Sequence, residues 1–343
     1  MHDYTGCLHI HSTRSDGDST VPELLDAARD VGLDFIILTD HPNPTDTKGL
    51  REGWHDGVLL AIGSELQAGH HHCLALGATD LNGSASGDVS RQLDTIQAHG
   101  GLAVVAHPTP SHKPLFNVWT PGWTDWHLNS FDAIEIWPYM HDWISDLKPW
   151  NFLSHCREPD RWVSGPDPAI LAAWDAVGRR RRCVGLGALD NHARRVPFRR
   201  WSLFEILPDR YAFRTVRTHV LSEQPFTGTA DDVAALYALL AAGRCYASYD
   251  LHADATGFRF HAERGGRTWG MGDELPAAGP AEFRAESPHR ATLRLLRDGE
   301  IIAATAGYEL ADRAAAPGVY RIEARLDDRP WIYSNPIYLR AEP

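Results

Sequence analysis

A chain of 343 residues can bury a large core, and its length predicts about two domains. Its formal charge of −12 leaves no general cationic face, so no stable nucleic-acid complex is expected. The five cysteines, at 7, 73, 156, 183 and 245, are odd in number and widely spaced, which argues against a disulfide framework; with no basic-then-apolar leader and no run of about 20 apolar residues, the chain reads as cytoplasmic with no membrane span.

The first predicted strand is Cys7–Ile10, and His9 and His11 leave it two positions apart, on one face. Asp16 follows within loop reach, in a turn-like Ser-Asp-Gly. Two imidazoles and a carboxylate so placed can begin a divalent-metal site, although an isolated pair of this kind is more often two ordinary strand-end histidines. Thr20 and Glu23 then match a capping box, Pro22 suits a first turn, and Leu24, Leu25, Ala28 and Val31 mark the apolar side of a helix stopped by Gly32. Leu33–Leu38 reads as a strand buried on both faces and ends at Thr39-Asp40-His41.

The pattern repeats along the chain. A short apolar run, Val58–Ile62, leads to Glu65, and His72–Gly77 is a strand that begins with a histidine. A Gly/Ser-rich turn over 81–87 precedes a helix over Val89–Ala98, and the strand Leu102–Ala106 stops at His107-Pro108, where proline restricts the residue before it. Seven tryptophans between 119 and 162, with many prolines, predict long structured loops around one strand, Ala133–Trp137, which carries Glu135. Asp167-Pro168 starts a helix through Trp174 to Val177, and Cys183–Leu189 is a strand ending at Asp190-Asn191-His192. Arg194, Arg195, Arg199 and Arg200 crowd a loop-rich stretch up to Phe226, before a helix over Ala230–Ala242. Beyond Gly243, short alternating segments separated by Gly, Pro, Asp and Asn predict an antiparallel sandwich and a domain boundary near 245–255.

His9, His11, Asp16, His41, Glu65, His72, His107, Glu135, Asp190 and His192 all lie at or near predicted strand ends. In an α/β barrel those ends converge on one face, where loops build the site. A solitary histidine beside an apolar segment is more often structural. Recurrence at the same phase, strand after strand, is not explained that way.

The segments LHIHSTRSDG, LTDH, AHP and LGALDNH resemble those of the polymerase-and-histidinol-phosphatase (PHP) superfamily of metallohydrolases, and GHHCLALG, GLGALDNH and PWIYSNPIYLR look like the branch that includes carbaryl hydrolase. The resemblance implies an α/β fold: a distorted seven-stranded PHP-type (β/α)7 barrel over 1–245 and an immunoglobulin-like β-sandwich over 246–343. It implies two or three divalent ions, Mn, Zn or Fe. Carried over by position, His9 and His11 are the first ligand pair, Asp16 the following acid, His41 the histidine of the second motif, Glu65 the carboxylate that bridges two metals, His107 the AHP-type ligand, and Asp190 and His192 the closing pair. Glu135 is carried over as a further ligand, and His72, with His70 and His71 beside it, as a site-facing histidine. Ala188-Leu189 stands where the branch often has Gly-Ser.

Most characterised members hydrolyse phosphoesters, so the resemblance implies a metal-dependent phosphoesterase in which a hydroxide bridging two metals attacks a small phosphorylated substrate. Arg14 and Arg194, with Arg195 as a weaker candidate, would hold phosphate oxygens. The same centre would serve carbamate, amide or carboxylic-ester hydrolysis, with the tryptophan-rich insertion as an apolar pocket. A catalytically inert, metal-stabilised binding module is the third reading, and oligomeric state is left open.

Overall fold

The computed structural model describes residues 1–42, 50–78, 81, 87–114, 118–198 and 201–341. Arg199, Arg200 and residues 82–86 of the expected Gly/Ser-rich turn lie outside these ranges. Strand β1 (His2–Ile10) is followed by helix α1 (Val21–Asp30), and the cause of the helix is visible at its start. Thr20 Oγ1 accepts from the Glu23 backbone N–H while the Glu23 carboxylate accepts from the Thr20 N–H, which closes the expected capping box. Val21, Leu24, Ala27 and Ala28 form its buried face, and burial of a leucine such as Leu24 contributes roughly 1.5–3 kcal/mol.

The chain continues through β2 (Phe35–Leu38), β3 (Val58–Ala68), β4 (His71–Leu76), α2 (Val89–Ala98), β5 (Leu102–Val105), β6 (Ala133–Pro138), α3 (Pro168–Arg180) and β7 (Val184–Ala188). The pairs β1–β2, β2–β3, β5–β6 and β6–β7 are parallel, whereas β3–β4 and β4–β5 are antiparallel. The ring closes where the Leu189 N–H donates to the Leu8 carbonyl and the His11 N–H to the Asn191 carbonyl. The result is a distorted α/β barrel of seven strands with mixed directions. Strand alternation separates two buried sets. Leu8, Phe35, Ile37, Leu74 and Leu186 belong to one, and Cys7, Ile36, Leu60 and Ile134 to the other, which meets Leu24 of α1, Ile96 of α2 and Trp174 of α3.

Strand β8 (Val216–Ser222), in a stretch expected to be loop, pairs antiparallel with the first half of β1. Nearly all of its residues are buried, so no alternation marked it in the sequence. Helix α4 (Asp231–Ala241) leads to β9 (Cys245–Tyr249), which pairs with β8. The remainder is an additional β-rich unit: β10 (Arg259–Arg264), β11 (Ala281–Arg297), β12 (Glu300–Ala314), β13 (Gly318–Leu326), β14 (Arg329–Ser334) and β15 (Ile337–Arg340). Phe258, Phe283, Leu293, Leu295, Ile322 and Trp331 fill a core of its own.

The two parts share elements. β9 pairs with β14 on its other side, so the expected division between 245 and 246 falls inside a strand used by both. The free edge of β7 and the residue before it are covered by side chains at every second position. The Tyr338 hydroxyl bonds the Cys183 backbone, Asn335 accepts from the Gly185 N–H at 2.8 Å and donates to its carbonyl at 2.9 Å, and Thr218 Oγ1 does the same at Gly187. Arg321 and Asp175, each 2% exposed, form a bidentate pair between β13 and α3. Among the described residues no helix is long and apolar enough to cross a membrane.

Candidate metal centre

The strand ends of the barrel carry the polar residues, and local backbone irregularities aim them. At His9 the β1–β2 register shifts, with Leu8 opposite Ile37 and Ile10 opposite Leu38, and His9 takes φ 62°. His107 (φ 25°) and Asp190 (φ 54°) also stand in the left-handed region that residues with side chains rarely adopt. Such strain collects at functional sites, where the surroundings over-determine it. The loop from Ser12 to Asp16 is clamped by Asp40, whose carboxylate accepts from the Ser12 N–H at 2.7 Å, the Ser12 hydroxyl at 2.6 Å and the Ser15 hydroxyl at 2.5 Å. Gly17 closes that loop against the His11 carbonyl, where a Cβ would collide with backbone.

Two buried carboxylates organise the centre. Glu65 Oε2 faces His9 Nε2 at 3.2 Å and His11 Nε2 at 3.1 Å, while its Oε1 bonds His107 Nε2 at 2.9 Å and His72 Nδ1 at 2.7 Å. Asp190 divides in the same way, with Oδ1 3.4 Å from both His9 and His11 Nε2, and Oδ2 3.3 Å from His141 Nε2. Among the described residues, four sets of side chains converge closely enough to hold an ion: His9, His11, Glu65 and Asp190; His107, His141 and Asp190; Glu65, His72 and His107; and His11, Asp16 and His41. His192 lies beside the last, its Nε2 3.2 Å from Asp16 and its ring stacked on His11 at 4.2 Å.

The donor set fits divalent cations. His9 Nε2 and His11 Nε2 are buried with no hydrogen-bond partner, although both face carboxylate oxygens. Two donors that each sit about 2.1 Å from a tetrahedral ion are about 3.4 Å apart, close to the spacings around these nitrogens. Burial would lower the proton affinity of His9, but Glu135, Glu65 and Asp190 raise its pKa well above the usual imidazole range. His11 is pushed up to about 9 against its burial by Asp190 and Glu65. Burial alone would raise Glu65 and Asp190, and the surrounding imidazoles instead hold both well below the usual carboxylate range. A cation entering such a set displaces protons, so its affinity rises with pH.

Several expectations are placed differently. The strand carrying Glu65 was expected to end near Ile62. It runs on to Ala68 because a hairpin pairs Gly63–Ala68 with β4, so Glu65 sits within it. In β4, neighbours point to opposite faces: His72 turns to Glu65, while His71 Nε2 pairs with Asp125 at 3.0 Å; His70, in the turn before the strand, packs edge-on against Trp119. Glu135, expected as a ligand, is in none of the four sets, because one oxygen bonds His9 Nδ1 and the other the His107 backbone N–H. Arg194 reaches Asp16 Oδ2 at 3.2 Å, Arg195 pairs with Glu205 and Glu23, and Arg14 lies partly buried in the Asp16 loop. Trp123, Trp137 and Trp143 are buried in the core, and Trp137 also lines a cleft beside His141 and Asp142.

His141 is the ligand-type residue that sequence reasoning missed. It follows β6 in the short helix Tyr139–Ile144, the position at which other strands end in His or Asp, three residues beyond the strand's last residue and six beyond Glu135.

No protein-family model matches the chain, and no curated protein matches it. Among solved structures, a two-domain protein from Bacteroides vulgatus, described as containing a predicted PHP-like metal-dependent phosphoesterase, is similar at 15% identity over 98% of this chain and 95% of that one, with a TM-score of 0.47. PsfC from Pseudomonas syringae is similar at 16% identity over 68% of this chain and 88% of its own, with a TM-score of 0.40. An amidohydrolase from Chromobacterium violaceum, with bound sulfate and no metal, is similar at 14% identity over 55% and 87%, with a TM-score of 0.32. Likeness at this level carries no argument about chemistry, which stands on the residues of the centre.

Proposed function

We propose that this chain is a metal-dependent hydrolase of the PHP type that cleaves a small phosphate ester. The observation that carries the reading is the pair of carboxylates, Glu65 and Asp190, each dividing its oxygens between two groups of buried imidazoles. His9 and His11 would hold one ion with Glu65 and Asp190, His107 and His141 a second with the same carboxylates, and Asp16, His41 and His192 a third. Ions so held supply positive charge for a phosphate and lower the pKa of bound water.

The chain's own residues then have distinct work. Arg194 at the rim, beside Asp16, and Arg14 in the adjacent loop orient nonbridging oxygens, a task suited to the guanidinium fork. His72 is bonded to Glu65 yet partly open to solvent, and is placed to pass a proton to the leaving oxygen. Branch-level placement beside carbaryl hydrolase, an immunoglobulin-like form for 246–343 and the choice among Mn, Zn and Fe rest on the motifs and on ligand type. Five free thiols support a reducing, cytoplasmic setting.

The test is metal analysis of protein purified with Mn, Fe or Zn, followed by turnover of phosphomonoesters, phosphodiesters, nucleotides and naphthyl carbamates. At least two ions per chain and phosphate release are expected. Turnover confined to carbamates or carboxylic esters would overturn the phosphoester reading, and ion binding with no turnover on the whole panel would favour the inert module.

A further inference from the structure

Glu135 is fully buried in β6, and its two oxygens reach different parts of the centre. Oε1 lies 2.6 Å from His9 Nδ1, and Oε2 accepts the His107 backbone N–H at 2.6 Å. His9 belongs to the set built on His11, Glu65 and Asp190, whereas His107 belongs to the set that contains His141. Both residues stand in left-handed backbone, at φ 62° and 25°. One side chain therefore touches a residue in left-handed backbone from each set.

The chemistry of a carboxylate suits this place. It offers two acceptors and no donor, and it faces two N–H groups. Because Oε1 can only accept, the proton His9 keeps when a cation displaces the other is fixed on Nδ1, which leaves Nε2, 3.2 and 3.4 Å from Glu65 and Asp190, as the nitrogen free for the cation. Because Oε2 holds the His107 N–H, the backbone there cannot relax from its strained φ without leaving a buried donor unpaired. We propose that Glu135 is a positioning residue, rather than a ligand, for two cation sites at once: it selects the His9 tautomer and pins the His107 backbone. This rests on reading the cluster as a cation centre.

Glu135→Gln separates the alternatives, since glutamine keeps the volume but has only one acceptor. If its oxygen meets the His107 N–H, its amide donates to His9 Nδ1 and drives the proton to Nε2, the nitrogen that a metal needs. If it turns over, two N–H groups face each other at His107. Either way one of the two contacts fails.

Zinc binding to the full chain would be measured by metal analysis and competition with a chelator, for wild type, Glu135→Gln and His141→Ala. Imidazole N–H signals would be recorded by NMR on zinc-loaded wild type. Glu135→Gln should weaken both ions about 10–100-fold, the usual cost of losing such an outer partner. His141→Ala should weaken one. The wild-type spectrum should hold a strongly downfield, slowly exchanging Nδ1 proton, which needs no variant to fold. Wild type with zinc but without that proton, or Glu135→Gln with unchanged affinity for both ions, would overturn the positioning role. Wild type that takes up no zinc would overturn the cation centre itself.

Discussion

At the scale of single residues the centre is a problem of proton ownership, and a second buried network far along β1 shows the same physics without ligand geometry. His219 is fully buried between Asp3 Oδ1 at 3.0 Å and Asp250 Oδ2 at 3.1 Å, with Arg217 sharing that Asp250 oxygen, Arg259 pairing the other Asp3 oxygen and Tyr246 donating to Asp3. Burial would lower its pKa, but Asp250 and Asp3 outweigh that and push it up to about 9 from an ordinary 6.5. A pKa raised on folding adds stability that is whole below the unfolded value and fades as pH rises through the folded one. Between pH 6.5 and 9 the wild type should therefore lose about 3 kcal/mol from this group. Urea unfolding of wild type and His219→Gln across that window would show it as a difference in slope, because the raised imidazoles near Glu65 and Asp190 contribute equally to both; equal slopes would contradict the assignment. Residues of this kind are hard to read in a sequence. His219 is one more histidine near an apolar run, as His9 is, and only the partners that folding supplies separate a structural imidazole from a ligand.

At the scale of elements, the sequence was most informative where a local cause acts. The capping box at Thr20 and Glu23 and the Asp88 cap that opens Val89–Ala98 involve neighbours in the chain, so α1 and α2 were legible. β8 and β12 were not: β8 pairs with the distant β1, and β12, although joined to β11 by a two-residue turn, has largely exposed faces that do not alternate cleanly. The polar strand ends were legible as a recurrence, but the bulge at His9 and the hairpin that carries Glu65 past Ile62 depend on β2 and β4. The covered edge of β7 is of the same long-range kind. Asn335 there satisfies the Gly185 N–H and carbonyl and the Cys245 carbonyl, all buried. Asn335→Ala should cost about 2–4 kcal/mol, since it strands the buried Gly185 N–H and carbonyl, while the Cys245 carbonyl keeps the Asn335 backbone N–H. Thermal and chemical unfolding of the variant would read that loss, and a change under about 0.5 kcal/mol would mean the edge is held by other contacts.

At the scale of the whole molecule, composition and the change from long to short periods indicated an α/β part and a β part. The interlock between them did not appear. Tyr338 and Asn335 come from the last ten residues, yet they close the edge of a barrel strand, and Arg321 enters α3 to pair with Asp175. The β-rich unit is thus tied to β7, the strand that leads into Asp190, and supports one of the two organising carboxylates from behind. That arrangement explains why the polar residues of seven separated segments meet at one place: the barrel brings their strand ends together, and the closing strand is braced from outside.

The central claim is that this convergence is a paired cation centre bridged by Glu65. Glu65→Gln tests it most directly, because the change keeps the shape while removing the charge that faces His9, His11, His72 and His107. Metal content, thermal unfolding and turnover would be measured on the same preparation. The expected result is a folded protein that has lost the paired ions and at least about a hundredfold in turnover. A folded Glu65→Gln protein with full metal content and wild-type turnover would contradict both the bridging role and the proposed chemistry.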